Sequence, residues 1–208
     1  MSTENAQTPE AARENLEFAL RAIRRSVDSY ITEGGAYFIL WSLLIPVGTL
    51  LSYVAGSHGI GPVAVIWSVI GIGGGVGSRI LTRRRNPDGP GTTGGMVYTA
   101  LWRGLAGALA ILGVAALVQL APALTQTSPL SLNAAMFVVG LLLGIAFSVT
   151  GAFSTAPWMK ALGLAWWLAA LIALFVPPIW APAVIGGATL PLNGVPGLIL
   201  ERRFRRGS

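Results

Sequence analysis

The run MVYTALWRGLAGALAILGVAALVQLA, from Met96 to Ala121, holds a single charge, Arg103, in an otherwise apolar stretch. A helix rises about 1.5 Å per residue and a bilayer's hydrocarbon core is about 30 Å thick, so about 20 such residues cross it. The run is long enough, and similar blocks recur before and after it. Soluble domains carry about 25% charged residues. This chain of 208 residues carries 11%, with 53% hydrophobic. Lipid is therefore the expected solvent for most of it. Backbone polar groups in lipid must be satisfied within each segment, which leaves helices or a closed barrel. The blocks are too long and too uniformly apolar for the alternating strands of a barrel. The expected fold class is all-α: a polytopic membrane bundle of six transmembrane helices, preceded by a cytoplasmic amphipathic helix.

The chain divides into an N-terminal segment, 1–32, a six-helix membrane domain, 33–201, and a basic tail, 202–208. Spans are expected at about 34–55, 60–81, 96–121, 130–152, 161–176 and 180–200. Pro46 should kink the first. The second ends in Gly71-Ile72-Gly73-Gly74-Gly75-Val76-Gly77-Ser78. Gly71 with Gly75, Gly73 with Gly77 and, in the fourth span, Gly140 with Gly144 stand four apart. That spacing lets another backbone approach closely and opens a route to homo-oligomers. A phosphate-binding loop is a poor reading of the same glycines. The GxGxxG spacing is not met, no Walker lysine follows and no strand precedes. The fifth span is short, and Lys160 can snorkel to help it match the bilayer. Pro191 and Pro196 interrupt the last span around Asn193-Gly194.

Ahead of the spans, Thr8-Pro9-Glu10 reads as a helix start, with Thr8 as N-cap, Pro9 at the first helical position and Glu10 near the positive dipole end. The helix should run to about Thr32. Leu16, Leu20, Ile23, Val27 and Tyr30 follow a 4-3-4-3 spacing and make one narrow apolar stripe. Such a helix lies on the membrane, docks on the protein's own cytoplasmic face, or pairs with a partner helix. The expected partners are membrane lipids and a cytoplasmic protein contacted through residues 9–32. The net charge of +6 would suggest nucleic acid in a soluble protein. Here orientation explains it, and no nucleic-acid partner is expected.

Lys and Arg gather in the N-terminal helix, in Arg83-Arg84-Arg85 after the second span, at Lys160 and in the tail. With six spans all of these fall on one side, whereas the loops on the other side, at 56–59, 122–129 and 177–181, contain no charge. Positive residues accumulate in cytoplasmic loops. Both termini are thus expected in the cytoplasm, with the protein in the cell (inner or plasma) membrane. The first residues are polar and acidic, so no cleavable leader is expected at the start.

Within the spans no carboxylate lies away from an end, which counts against proton-coupled carriers and acidic-ring cation pores. Arg103 sits seven residues past Met96, about 10 Å deep at about 1.5 Å per residue. Asn193, Ser42 and Ser148 count to a similar depth, so a polar layer of Arg103, Asn193, Ser42 and Ser148 is expected in the cytoplasmic third of the bundle. Proline-broken helices of this kind line small-molecule and ion sites. The alternative is that Arg103 snorkels to lipid phosphate or pairs with Glu33 or Glu201. The chain has no Cys and one His, His58, which reads as a turn residue. Neither a metal site nor a cofactor is expected. Trp41, Trp67, Trp166 and Trp167 read as packing or lipid-facing residues. No catalytic set can be assembled, so enzymatic activity is not expected.

Gly35-Ala36-Tyr37-Phe38-Ile39-Leu40-Trp41 after a cytoplasmic helix, and Pro196-Gly197-Leu198-Ile199-Leu200 before a basic end, together resemble small uncharacterised multi-pass membrane proteins of bacteria. The resemblance implies a six-helix bundle and transfers no activity and no site residue. Two function classes remain. One is a non-catalytic regulatory or accessory membrane protein with a cytoplasmic contact helix. The other is a small carrier or channel for an anionic or neutral solute, built around Arg103 and the broken sixth span.

Overall fold

The computed structural model describes residues 8–56, 60–85, 91–119 and 132–207. It is helical throughout, with no strand among the described residues. The helices are α1 (Pro9–Glu33), α2 (Gly35–Gly56), α3 (Ile60–Arg85), α4 (Thr93–Gln119), α5 (Leu132–Phe153) and α6 (Pro157–Phe175). A 3-10 turn (Pro178–Trp180) then leads into α7 (Ala181–Thr189), a π turn (Leu190–Gly194) and α8 (Val195–Gly207). Among the described residues six helical stretches are long and apolar enough to cross a membrane: Gly35–Ala55, Val65–Arg85, Thr93–Gly113, Leu132–Phe153, Pro157–Phe175 and Pro178–Arg206. That pattern fits a multi-pass integral membrane protein. The turn holding His58 and the loop 122–129 lie outside the described residues.

Local chemistry sets most boundaries. Thr8 caps α1, its hydroxyl accepting from the Ala11 N–H at 3.3 Å, with Pro9 opening the helix. Gly34 alone separates α1 from α2, its N–H donating to Tyr30 O at 2.9 Å and Ile31 O at 3.0 Å. α6 starts four residues earlier than expected, at Pro157, because proline at the first helical position loses no hydrogen bond there. Lys160 therefore lies in the first turn of a full-length helix rather than ahead of a short one. The end of α6 is capped from outside. The Asn133 side chain at the start of α5 donates to Ala173 O (2.8 Å) and Val176 O (2.7 Å), carbonyls left over at a helix end. The last span stays helical across Pro191 and Pro196. Neither proline can donate an N–H, and the chain widens to a π turn instead of breaking. The helix also runs on through the basic tail to Gly207.

Packing is uneven. α5 and α6 form the tightest pair, with Phe147, Met159, Trp166, Ala170 and Ala173 fully buried. Gly140 and Gly144 stand in this interface. A Cβ on Gly140 would meet the Ala170 Cα at 3.1 Å, and one on Gly144 the Gly163 carbonyl at 2.9 Å. α2 is central and crosses α8 backbone to backbone, where a Cβ on Gly35 would come within 2.9 Å of Gly197 O. Phe38, Trp102 and Phe147 join α2, α4 and α5 through ring contacts of 5.4 to 5.7 Å. α3 rests chiefly on α2, through Ile70 against Gly48 and Trp41 against Gly74, with the Trp41 Nε1 donating to Ser78 Oγ at 3.2 Å. Of the glycines picked by spacing in this helix, Gly77 meets Leu40, whereas Gly71, Gly73 and Gly75 have no described atom within 4 Å of an added Cβ. The contact runs through Ile70, Gly74, Gly77 and Ser78, and a single residue turns a helix by about 100°, so those three glycines miss the interface.

Candidate functional site

The four residues expected in one polar layer divide among separate surroundings. Ser42 faces Gly194, the chain neighbour of Asn193: a Cβ on Gly194 would stand 3.1 Å from Ser42 Oγ. Asn193 is 6% exposed and its Oδ1 has no hydrogen-bond partner among the described residues, while Ser42 donates to its own helix at Ile39 O, 2.8 Å away. Ser148 packs against Gly163 in the α5–α6 interface. Arg103 is exposed, with no ion pair or hydrogen bond among the described residues. Its helix packs on α1 and α5, whereas the π turn that carries Asn193 packs on α2, α6, α7 and α8. Arg79, passed over in the span-by-span reading, is likewise exposed in α3.

The partners considered for Arg103 are engaged elsewhere. Arg85 at the end of α3 reaches Glu201 in α8 with one guanidinium nitrogen, at 2.9 and 2.8 Å from the two carboxylate oxygens. Its other terminal nitrogen donates to Glu33 O at 2.8 Å, and its plane sits 4.6 Å from the centre of the Phe204 ring. The two side chains are only 15% and 13% exposed. One arginine thus ties the α1–α2 corner, the end of α3 and the start of the basic tail. Charge-assisted bonds of this kind are about twice as strong as neutral ones.

Further polar contacts gather at the same end. The C-terminal half of α1 lies across the ends of α4, α5 and α8. Val27 and Ile31 are 1% and 2% exposed there, and Ile23 packs beside them. Polar contacts fix the seat. Ser26 pairs with Thr92 ahead of α4. Asp28 accepts from the Thr155 N–H (3.0 Å) and hydroxyl (2.5 Å) in the turn before α6. Beside that bond opens a cleft of about 300 Å³ lined by Asp28, Thr32, Trp158 and Arg203 among others.

The N-terminal half of α1 has no such seat. Leu16 is 60% exposed and Leu20 also stands exposed, on the stripe that the docked half buries. Phe18 is 72% exposed. It lies two residues from Leu16, about 200° around the helix, and so on the face opposite the stripe. No spacing rule drew attention to Phe18, because it belongs to no apolar repeat. No group of three or more His, Cys, Asp or Glu placed to hold a metal ion occurs among the described residues. No family model, curated protein or solved structure matches the chain.

Proposed function

We propose that this chain is a non-catalytic multi-pass protein of the cell membrane with both termini in the cytoplasm, serving a regulatory or accessory role through the helix α1. The observation that supports this reading is Phe18. It is a large aromatic side chain, 72% exposed, on the face of α1 opposite the stripe whose second half, through Val27 and Ile31, seats on the bundle. Buried aromatic anchors dominate protein–protein interfaces. Around it, on a helix of 3.6 residues per turn, lie Glu14, Arg21, Ala22 and Arg25, a polar rim about an apolar centre. The carrier reading needs Arg103 to face the last span. The exposure of Arg103 on α4, away from Asn193, weighs against it.

The test is co-purification from native membranes after mild cross-linking, comparing the full chain with Phe18→Ala. The variant loses its cytoplasmic partner while remaining inserted and equally stable. Deleting residues 1–20 gives the same loss, and it spares Val27 and Ile31, which a longer deletion would remove from the core. Unchanged partners in both variants, or none with the full chain, would refute the proposal.

A further inference from the structure

The exposed half of the α1 stripe continues an interface that is already made. Ile23, Val27 and Ile31 seat the second half of the helix on the ends of α4, α5 and α8. Leu16 and Leu20 extend the same line, yet they stand exposed at 60% and 43%. A straight helix keeps one direction for one stripe. The exposed leucines therefore point the way the buried ones do, toward the level at which the membrane-crossing helices end. Residues 9–22 span about 20 Å at about 1.5 Å each, enough to carry them past the bundle's edge.

Arg13 and Arg24 run along one border of the stripe, while Glu17, Glu10 and Glu14 lie farther round, on an outer face they share with Arg21 and Arg25. Neither Arg13 nor Arg24 has an ion-pair partner among the described residues. The end of the bundle on which α1 lies is itself basic, with Arg83, Arg84, Arg202, Arg203, Arg205 and Arg206 all exposed. An apolar stripe bordered by arginine, with carboxylates turned away, matches a leaflet of anionic headgroups.

We infer that residues 9–22 form a membrane-surface arm, with Leu16 and Leu20 in the headgroup–acyl boundary and Arg13 and Arg24 on anionic lipid phosphates. The inference rests on reading α2–α8 as membrane-spanning. It also gives the proposed partner site its setting, because an arm held flat on the leaflet turns Phe18 to the water.

The chain has no cysteine, so single-cysteine labelling is clean. An environment-sensitive fluorophore is placed on Leu16→Cys, Phe18→Cys and, as a reference, Leu168→Cys on the exposed side of α6, each in nanodiscs holding one copy. In discs of phosphatidylcholine with phosphatidylglycerol, the label at 16 shifts to the blue and its quenching by aqueous iodide falls severalfold, while the label at 18 stays water-like. Replacing phosphatidylglycerol by phosphatidylcholine, or Arg13 and Arg24 by glutamine, returns the label at 16 toward water. Equal, water-like labels at 16 and 18 beside an acyl-buried label at 168 overturn the arm and leave the spans standing. A water-like label at 168 overturns the spans instead. Protection at 16 that appears only in discs loaded with two copies, or only when cytosolic protein is added, assigns the stripe to a second copy or to a partner and overturns the arm.

Discussion

Gly163→Ala and Gly75→Ala make the same chemical change in two apolar helices, and their effects should differ in sign. A Cβ on Gly163 would stand 2.8 Å from the Gly144 carbonyl oxygen and 3.0 Å from the Ser148 nitrogen. Both are backbone atoms, so α5 and α6 must part by several tenths of an ångström along their best-packed seam. Overpacking of this kind costs about 1–3 kcal/mol. Alanine's helix preference over glycine, about 1 kcal/mol in water, offsets part of that. The offset is smaller in lipid, where the unfolded reference keeps its helices. The net expectation for Gly163→Ala is a loss of about 1–2 kcal/mol. At Gly75 nothing described lies within 4 Å of the added methyl, so the change runs from zero to a gain of about 1 kcal/mol. The assay is reversible unfolding in mixed micelles titrated with a denaturing detergent and followed by tryptophan fluorescence, since Trp166 is fully buried beside the seam. A Gly163→Ala protein within about 0.5 kcal/mol of the parent would refute the packing argument. An equal loss at Gly75 would show that the open face of α3 is covered by another helix.

Asn133→Ala should cost about 1–3 kcal/mol in the same titration, because Ala173 O and Val176 O lose their donor. No loss would mean that water replaces the amide. Arg85→Ala and Glu201→Ala should each cost about 3 kcal/mol and the double variant little more than either, as a double-mutant cycle reads for a pair that is 15% and 13% exposed. Additive losses would show no coupling. Arg103→Leu should insert, fold and unfold like the parent, as judged by membrane yield and detergent titration, because nothing described holds its guanidinium. A marked drop in folded protein would reveal a partner for it.

The length and apolarity of the long helices were legible in the sequence, and direction around their axes was not. Block length and apolarity pointed to the six described helical stretches that are long and apolar enough to cross a membrane, since a bilayer's thickness sets the length required. The start of α1 was equally plain, because Thr8, Pro9 and Glu10 act within one turn. The polar layer was inferred by counting residues from span ends. That count sets Arg103, Asn193, Ser42 and Ser148 at comparable depth but says nothing of which neighbour each faces. Ser42 faces Gly194, beside Asn193, because α2 packs on the π turn, while Arg103 is exposed. The glycine spacing had the same weakness. It picked residues with the right separation, and on α3 the packed face passes through Gly74 instead of Gly71, Gly73 and Gly75. The Arg85–Glu201 tie and the Asn133 cap join residues 116 and 40 or more positions apart, which no local pattern announces. The division of α1 into a docked and an exposed half also depends on where the bundle's edge falls, which a continuous stripe does not mark.

The account's central claim is that the chain crosses the membrane six times with its basic ends together in the cytoplasm. Single cysteines at Gly91 and Arg206, on the basic end, and at Ile179, in the turn after α6, can be labelled in intact cells with a membrane-impermeant maleimide. The account predicts that Ile179→Cys reacts from outside, whereas Gly91→Cys and Arg206→Cys react only after the membrane is opened. Labelling of Gly91→Cys or Arg206→Cys in intact cells, with Ile179→Cys protected or not, would contradict it.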